Sequence, residues 1–398
     1  MMVSRLVVLS ALAAFASPIL HAATLTSQRP PSADEVLSGY ERSPLEFQKR
    51  FAAWCEDANH ADDDDCMTYG DVATWAGHYA NTPVEVVPPV ALPGSGSGFT
   101  ISSAITAIPE WTERQRVVIF NEVHDHPETR LLPLELLPVL RKQGFDTLAL
   151  EALSVGDGAL GSRGYPVYKS GYYTREPIMG RLVREALRLG FKVTGYDVTS
   201  DRQLDVASRE EAQAENLANR VRDGGGHRVV VLAGLAHAYK RKGGYLQGQE
   251  PMAARLGQKL GFTPFVIDQV YAFDGATGRT MPGNGLFVLQ KNGKPWAAEP
   301  AQFDVSIIGH VQRSGPARDG WATLAPSERL VHITAAPCGS DPCLVQAYRK
   351  GDVATAVPLD ASMTQGKKDI TLLLPSGGIE VRYIGTRGKA IKVVPLSR

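Results

Sequence analysis

Short apolar runs alternate with amphipathic stretches between Phe99 and about Gln290. Five runs have the length and composition of strands: RVVIFNE, TLALEAL, KVTGYDV, HRVVVLAGLAH and PFVIDQVY. The stretches between them repeat apolar residues at helical spacing. Nearly unbroken apolar strands that alternate with helices are typical of a mostly parallel sheet with helices on both faces. The pattern therefore predicts an α/β domain over residues 99–295.

The predicted helices carry start and stop signals. Pro177 is a favourable first helical residue, and Ser208 with Glu211 has the spacing of a capping box. Three helices end in the related segments LRKQGF, LRLGF and QKLGF. The glycine of each segment is expected to take the left-handed conformation that ends a helix. These glycines are Gly144, Gly190 and Gly261.

The pattern differs on either side of this domain. Residues 24–83 look helical, and the Pro- and Gly-rich residues 84–98 are typical of a linker. Residues 300–398 contain short strands of period two separated by turn residues, which predicts a small all-β domain.

Residues 1–22 have the charge, apolar run and small final residues of a cleaved signal peptide, with no cysteine near the cleavage position. A periplasmic or secreted protein, not a lipoprotein, is expected.

Composition and cysteine spacing narrow the classes of protein. The 398 residues include 42 Lys and Arg and 42 Asp and Glu, so a nucleic-acid partner is not expected. No segment after the signal peptide is apolar enough to predict stable membrane insertion. The cysteines lie in two local pairs, Cys55/Cys66 and Cys338/Cys343, and export predicts two disulfides. Zinc bound at CGSDPC is the alternative, but a second half-site is missing nearby.

Ionisable residues follow directly after the predicted strands. The first strand runs into Glu122 and His124, with His126 two residues further on. The later strands end in or carry Glu151, Asp197, His237 and Asp268. Because parallel strands bring their carboxyl ends to one edge, these groups are expected to gather there. For each group a solvated turn or a structural role is the alternative: His126 is expected to be exposed, and Asp268 structural.

A long connection follows the second strand. The segment YPVYKSGYYTREP contains four tyrosines together with Lys169 and Arg175. Long loops in compact domains are often lids or binding loops, and aromatic rings with an arginine suit a planar or anionic ligand. Tyr172 and Tyr173 are therefore expected over the site, with a loop packed on the surface as the alternative.

Two segments resemble a known superfamily. NEVHD at 121–125 and GLAHA at 234–238, with TLALEAL between them, resemble the EreA/ChaN-like superfamily. It unites ChaN haem-binding lipoproteins, erythromycin esterases and TIKI/TraB-type metalloproteases, and the similarity is greatest to the ChaN-like branch. It covers roughly residues 112–272. It implies metal-dependent proteolysis, ester hydrolysis or haem binding at a site built from Glu122, His124, Glu151 and His237.

The favoured hypothesis is an exported hydrolase that cleaves an ester or peptide bond in a small molecule or peptide. In a metal-dependent version, His124, His237 and Glu151 hold a Zn, Mn or Co ion. Glu122 is then either the general base or a fourth ligand. In a metal-free version, His124 takes a proton from water and Glu122 or Glu151 orients its ring. Arg175 then holds the developing oxyanion.

The second hypothesis is a periplasmic haem or iron-binding protein of the ChaN type. Its axial ligands would be His124 or His126 together with a loop tyrosine, Tyr172 or Tyr173. ChaN-like proteins have a further histidine just downstream, where this chain has Thr129 and Arg130. That difference favours the hydrolase, and the oligomeric state stays open.

Overall fold

The structure is a computed structural model that describes most of the chain from Asp64 onward. The described residues are 64–77, 90–153, 157–198, 204–223, 227–243, 245–273, 278–310, 320–321, 324–364, 366–386, 388 and 390–396. The expected signal peptide, Cys55 with its predicted disulfide, and most of the helical region 24–83 lie outside them.

The described elements form a mixed α/β structure. The helices are α1 (Asp64–Trp75), α2 (Ala104–Thr112), α3 (Leu131–Lys142), α4 (Leu160–Arg163), α5 (Pro177–Arg188), α6 (Val206–Arg222) and α7 (Met252–Leu260). The first ten strands are β1 (Thr100–Ser103), β2 (Val117–Glu122), β3 (Thr147–Leu150), β4 (Lys192–Gly195), β5 (Val229–Gly234), β6 (Phe265–Asp268), β7 (Gly285–Lys291), β8 (Lys294–Pro295), β9 (Val305–Ser306) and β10 (Ile308–His310). The C-terminal strands are β11 (Arg329–Thr334), β12 (Leu344–Arg349), β13 (Asp360–Met363), β14 (Asp369–Leu374), β15 (Ile379–Ile384) and β16 (Ala390–Leu396).

The central sheet has six parallel strands in the order β4-β3-β5-β2-β6-β9. The five strands predicted from apolar runs are confirmed. The register of β2 with β5 places Glu122 opposite Gly234, at the carboxyl edge. The sixth strand differs from expectation, because Val305 and Ser306, assigned by pattern to the C-terminal region, pair in parallel with β6. The run FDVSIIGH has the pattern of a strand, but that pattern does not show which sheet the strand joins.

Helices cover both faces of this sheet. Alternate strand residues point to opposite faces. Phe120 and Leu232 pack in one core with α2, α3 and α5. Ile119 and Val231, their neighbours along the strands, pack in a second core with α6 and α7. The inner strands β2, β3 and β5 are therefore buried on both sides, which explains why they are mostly apolar rather than alternating.

The helix boundaries confirm one prediction and correct another. The three predicted glycine stops have φ of +91° at Gly144, +80° at Gly190 and +72° at Gly261. The predicted capping box at Ser208 is wrong. Helix α6 begins earlier, after Asp205, whose Oδ1 accepts the Ser208 N–H at 2.8 Å. Aspartate in extended backbone before a helix is itself a strong cap, so Ser208 is already helical.

Antiparallel sheets flank the parallel one. Strands β1, β7 and β10 form one sheet, with β8 paired to β7, and the C-terminal strands form two more, β11-β14 and β13-β12-β15-β16. The predicted disulfide Cys338–Cys343 is present in the C-terminal region, with its Cα atoms 5.8 Å apart. None of the helices within the described ranges is long and apolar enough to cross a membrane.

Candidate functional site

The carboxyl edge of β2 carries a glutamate–histidine pair. Glu122 ends the strand with its side chain only 2% exposed, and its Oε1 lies 3.2 Å from Nδ1 of His124. The His124 side chain is 30% exposed, so it has access to solvent while its carboxylate partner does not. The structure thus joins the first two residues that the sequence singled out.

Arg130 holds this pair in place. Its guanidinium is fully buried and donates from Nε to Oε2 of Glu122, from Nη1 to Oε2 of Glu176 at 2.9 Å, and from Nη2 to the carbonyl oxygen of His124 at 2.9 Å. The Glu176 carboxylate also accepts the first two free amides of α5, at 2.9 and 2.8 Å. One continuous set of contacts therefore links the start of α5 to the His124 ring.

The charges of the pair follow from these contacts. Burial would raise the pKa of Glu122, but the charge of Arg130 and the contact with His124 lower it to about 2. Burial would lower the pKa of His124, but the contact with Glu122 and the charge of Glu151 outweigh it and raise the pKa. Glu122 is therefore ionised at neutral pH, and it favours the protonated form of the imidazole.

Glu151 lies beside the same pair, across Gly234. Its Oε2 accepts the Gly234 N–H at 2.8 Å, and its Oε1 accepts from Nη2 of Arg209 at 2.8 Å. A Cβ atom added to Gly234 would lie 3.3 Å from Oε2 of Glu151 and 3.4 Å from Nε2 of His124. The absent side chain at Gly234 is what lets Glu151 and His124 face the same space.

His237 reaches Glu151 from the other side, in the turn that follows β5. Its Nε2 lies 3.4 Å from Oε1 of Glu151 and 3.4 Å from Nη1 of Arg209. Its Nδ1 lies 2.6 Å from Oε1 of the fully buried Glu210. Burial would lower the pKa of His237, but the charge of Glu151 and the contact with Glu210 raise it. Both histidines thus place Nδ1 against a buried glutamate.

The two remaining strand-end aspartates have different surroundings. Asp197 accepts from Arg209 at 2.6 Å, so it borders the site through that arginine. Asp268 is fully buried and accepts from Asn121 at 3.1 Å and Ser306 at 2.6 Å. Asp268 therefore ties β2, β6 and β9 together, which is a structural role.

The tyrosine-rich loop covers the site. The ring of Tyr173 stacks on His124 with centroids 3.8 Å apart, and Tyr172 meets Tyr173 edge-on at 4.9 Å. Trp75 of α1 packs on Tyr172 at 5.1 Å, and the Arg175 guanidinium lies over the Trp75 ring at 5.2 Å. The guanidinium groups that contact the site carboxylates belong to Arg130 and Arg209, rather than to Arg175.

Helix α1 adds a carboxyl group that no local sequence signal indicated. Burial and the charge of Asp125 raise the pKa of Asp71 to about 7, although His124 and Arg130 act to lower it. A Cβ atom on the neighbouring Gly70 would lie 3.9 Å from Oδ2 of Asp125. Part of the N-terminal region therefore packs against the strand edge.

His126 is buried, so the expectation of exposure is wrong. It is 5% exposed, and its Nδ1 lies 3.0 Å from Oε1 of Glu128. The short turn after it folds back, since the Thr129 hydroxyl donates to the His126 carbonyl oxygen at 2.7 Å. Because Arg130 is buried beneath the site, the turn that connects His126 to Arg130 is buried with it.

The carboxylates and imidazoles at this edge contact one another and two arginines. Within the described ranges, no group of three or more His, Cys, Asp or Glu residues is arranged to hold one. Glu122 and Glu151 each accept from an arginine, which already supplies positive charge at the edge. The haem ligands proposed from sequence are also engaged, because His126 contacts Glu128 and Tyr173 stacks on His124.

Sequence reasoning missed the residues that hold the predicted ones: Arg130, Glu176, Arg209 and Glu210. Three of these four residues occupy positions that the sequence pattern could have indicated. Glu176 directly precedes the helix-starting Pro177, which is a cap position. Arg209 and Glu210 lie near the start of a helix that follows a parallel strand, and such helices begin at the carboxyl edge.

No protein-family model and no curated protein matches the chain. Solved structures that resemble it include the type III effector HopBA1, at 16% identity over 48% of this chain and 88% of that one, with a TM-score of 0.30. RRSP, a MARTX toxin effector domain from Vibrio vulnificus CMCP6, has 14% identity over 66% and 57%, with a TM-score of 0.31. The C-terminal region of Pasteurella multocida toxin has 11% identity over 71% and 46%, with a TM-score of 0.31. The chain spans less than two thirds of the length of these two toxin structures, and at such TM-scores the likeness carries no functional argument.

Proposed function

We propose that the chain is an exported hydrolase of the EreA/ChaN-like superfamily that activates water with His124. The observation that supports this most is the environment of Glu122. One carboxylate oxygen lies 3.2 Å from His124 Nδ1, and the other accepts from the buried Arg130. A histidine whose Nδ1 faces an immobile ionised carboxylate is oriented for proton transfer at Nε2.

The partial exposure of His124 suits this role. Water held at Nε2 would lose a proton to the ring while its oxygen attacks a carbonyl carbon. The imidazolium formed would be stabilised by Glu122, whose lowered pKa keeps it ionised. Nothing in this step uses a covalent nucleophile, in line with the absence of a recognisable serine or cysteine motif.

Arg209 takes the part that the sequence suggested for Arg175. Its side chain is 37% exposed and contacts Glu151 and Asp197 at the rim of the site. A partly exposed guanidinium can donate to the oxyanion that develops on the substrate.

The substrate class proposed is an ester or peptide bond in a small molecule or peptide. Export rests on the signal-peptide pattern, with which the Cys338–Cys343 disulfide is compatible.

The test compares His124→Ala with His227→Ala on a panel of aryl esters and short peptides. His227 is a matched control, because its Nδ1 lies 2.7 Å from a carboxylate of Asp146 and its side chain is 31% exposed. It precedes β5, so it lies at the opposite edge of the sheet. We expect His124→Ala to lower kcat/KM by roughly 10²- to 10⁴-fold. We expect His227→Ala to leave it unchanged.

Elemental analysis and an absorption spectrum after haem addition complete this test. Equal activity of the two variants would remove His124 from the mechanism. Activity that follows bound zinc, manganese or cobalt, lost together on substitution of His124 or His237, would establish the metal-dependent version instead. A Soret band lost in His124→Ala, with no hydrolysis of any substrate, would establish haem binding.

A further inference from the structure

A second histidine–glutamate pair lies on the other side of Glu151. Glu210 is fully buried in the first half of α6, and its Oε1 lies 2.6 Å from Nδ1 of His237. Among the residues that the structure describes, His237 is the one basic side chain within ion-pair distance of Glu210. A buried carboxylate is costly without a nearby compensating group, and for Glu210 the imidazole of His237 is placed to be that group.

The contacts of Glu210 define the tautomer of His237. Its other oxygen, Oε2, accepts the Met252 N–H at 2.7 Å at the start of α7, so this carboxylate bridges two helices and the imidazole. The 2.6 Å approach of Nδ1 to Oε1 falls outside hydrogen-bond geometry, so it is an ion-pair contact. Two lone pairs at that distance would repel each other, and Nδ1 must therefore carry a hydrogen. In the neutral ring Nε2 is then an acceptor, which agrees with the N–H of Arg209 3.4 Å away.

We propose that Glu210 is a positioning residue that holds the Nδ1–H tautomer of His237 and makes its Nε2 the second proton-transfer atom of the site. This inference rests on the proposed hydrolase function. Glu151 lies between the two imidazoles, because Oε2 faces the space beside His124 Nε2 and Oε1 is 3.4 Å from His237 Nε2. The arrangement assigns the removal and the delivery of a proton to different histidines.

The proton balance of hydrolysis requires such a second group. Water forms a bond to the carbonyl carbon and gives a proton to Nε2 of His124. The bond from that carbon to the leaving oxygen or nitrogen then breaks, and the leaving atom takes a proton from Nε2 of protonated His237. The proton that His124 took from water must then pass to His237, so that both rings regain their starting protonation. Glu151 lies between the two rings. No oxidant, reductant or further reactant is consumed.

Glu210→Gln separates positioning from folding. The glutamine carbonyl can still accept the Met252 N–H, but its NH₂ group then faces Nδ1 of His237. The ring must accept at Nδ1, so the hydrogen moves to Nε2. Glu211→Gln is the matched control, because the neighbouring Glu211 also joins α6 to α7, through Arg255 at 2.8 Å and Lys259 at 2.6 Å, without an ion pair to either histidine.

The experiment uses the full mature protein with ¹⁵N-labelled histidine at a pH above the raised pKa of His237, where the ring is neutral. It records the ring nitrogens of His237, assigned with a His237→Asn variant. We expect Glu210→Gln to exchange the shifts of the two nitrogens and to lower kcat by roughly 10- to 100-fold with little change in KM. We expect Glu211→Gln to alter neither quantity. Thermal unfolding should show that both variants remain folded.

Two outcomes overturn the proposal. Unchanged ring shifts in Glu210→Gln would show that Glu210 does not set the tautomer. Equal loss of kcat in the two variants would show that the α6–α7 contact, rather than His237, is responsible. If the protein hydrolyses nothing but the shifts still exchange, the proposed function fails while the positioning by Glu210 stands.

Discussion

Arg130 and Glu122 form an ion pair in which the arginine side chain is fully buried and the glutamate side chain is 2% exposed. Both ions have lost their hydration, and each compensates the other. Glu176 shares the same guanidinium at 2.9 Å, so the arginine balances two buried carboxylates. The orientation of His124 therefore depends on a cation that contacts its carboxylate partner and its own carbonyl oxygen.

Substitution of Arg130 should be strongly destabilising. In Arg130→Met, two buried carboxylates lose their counterion, and breaking a buried ion pair from one side costs about 3–5 kcal/mol. Urea unfolding measures this free energy. Arg188→Met is the control, since Arg188 contacts Glu185 with its side chain 65% exposed, and exposed pairs contribute at most about 1 kcal/mol. A loss in Arg130→Met no larger than in the control would contradict the buried pair.

The rate of hydrolysis should follow a bell-shaped pH profile, rising as His124 loses its proton and falling as His237 loses the proton that it delivers to the leaving group. His124 acts as a base only when unprotonated, and its contact with Glu122 raises its pKa, so the midpoint of the rise should lie above the ordinary histidine value of about 6.5. Glu122→Gln removes the negative charge and should move the midpoint to lower pH. The profile of kcat/KM against pH measures this. A midpoint that Glu122→Gln leaves in place would show that another group controls the rate.

The raised pKa of His124 should also make the free energy of unfolding depend on pH. Because the folded pKa of His124 is raised, protonation of the ring stabilises the fold at pH below the unfolded value. That contribution is lost as the pH rises through the folded pKa. The wild-type free energy of unfolding should therefore fall, relative to that of His124→Ala, over this range.

Gly234→Ala should impair the site while the fold survives. The new Cβ atom would lie 3.3 Å from Glu151 Oε2 and 3.4 Å from His124 Nε2, so the two groups must separate by a few tenths of an ångström. We expect a fall in kcat of about 10- to 100-fold, because catalytic geometry tolerates little displacement. Gly158→Ala is the control, since an added Cβ there meets nothing within 4 Å. Equal activity of both variants would mean that the space beside Gly234 is not used.

Removal of the C-terminal disulfide should have a small effect on stability. Cys338 and Cys343 are five residues apart, and so short a loop contributes only about 2 kcal/mol on the loop-entropy estimate. Denaturant unfolding of the Cys338→Ser/Cys343→Ser double variant measures the loss. Peptide mapping under non-reducing conditions should recover the linked pair from the exported protein. Free thiols at both positions would contradict the disulfide and the expectation of export together.

The sequence by itself determined the elements whose signals are local. The strand from Val117 to Glu122 begins with four apolar residues because both of its faces are covered, and that local pattern predicted the strand. Gly144, Gly190 and Gly261 end helices because glycine accepts positive φ, a property of the single residue. The closeness of Cys338 and Cys343 along the chain likewise predicted their bond.

Strand ends in a parallel sheet converge, so the sequence also predicted that Glu122, His124, Glu151 and His237 meet. It did not predict what holds them. The partners are distant along the chain: Arg130 and Glu176 are 46 residues apart, and Arg209 and Glu151 are 58 apart. A charged residue in a turn or a helix looks the same in sequence whether it is solvated or paired.

Burial was decided only by tertiary structure. His126 has a polar sequence context yet lies inside, because the turn that carries it folds under the site together with Arg130. Val305 and Ser306 became a sixth parallel strand because β6 offered an unpaired edge. Helix α1 brought Trp75 and Asp71 to the strand edge from a region that the sequence set apart. In each case the deciding contact joins segments that no local pattern connects, and packing alone selects which of them meet.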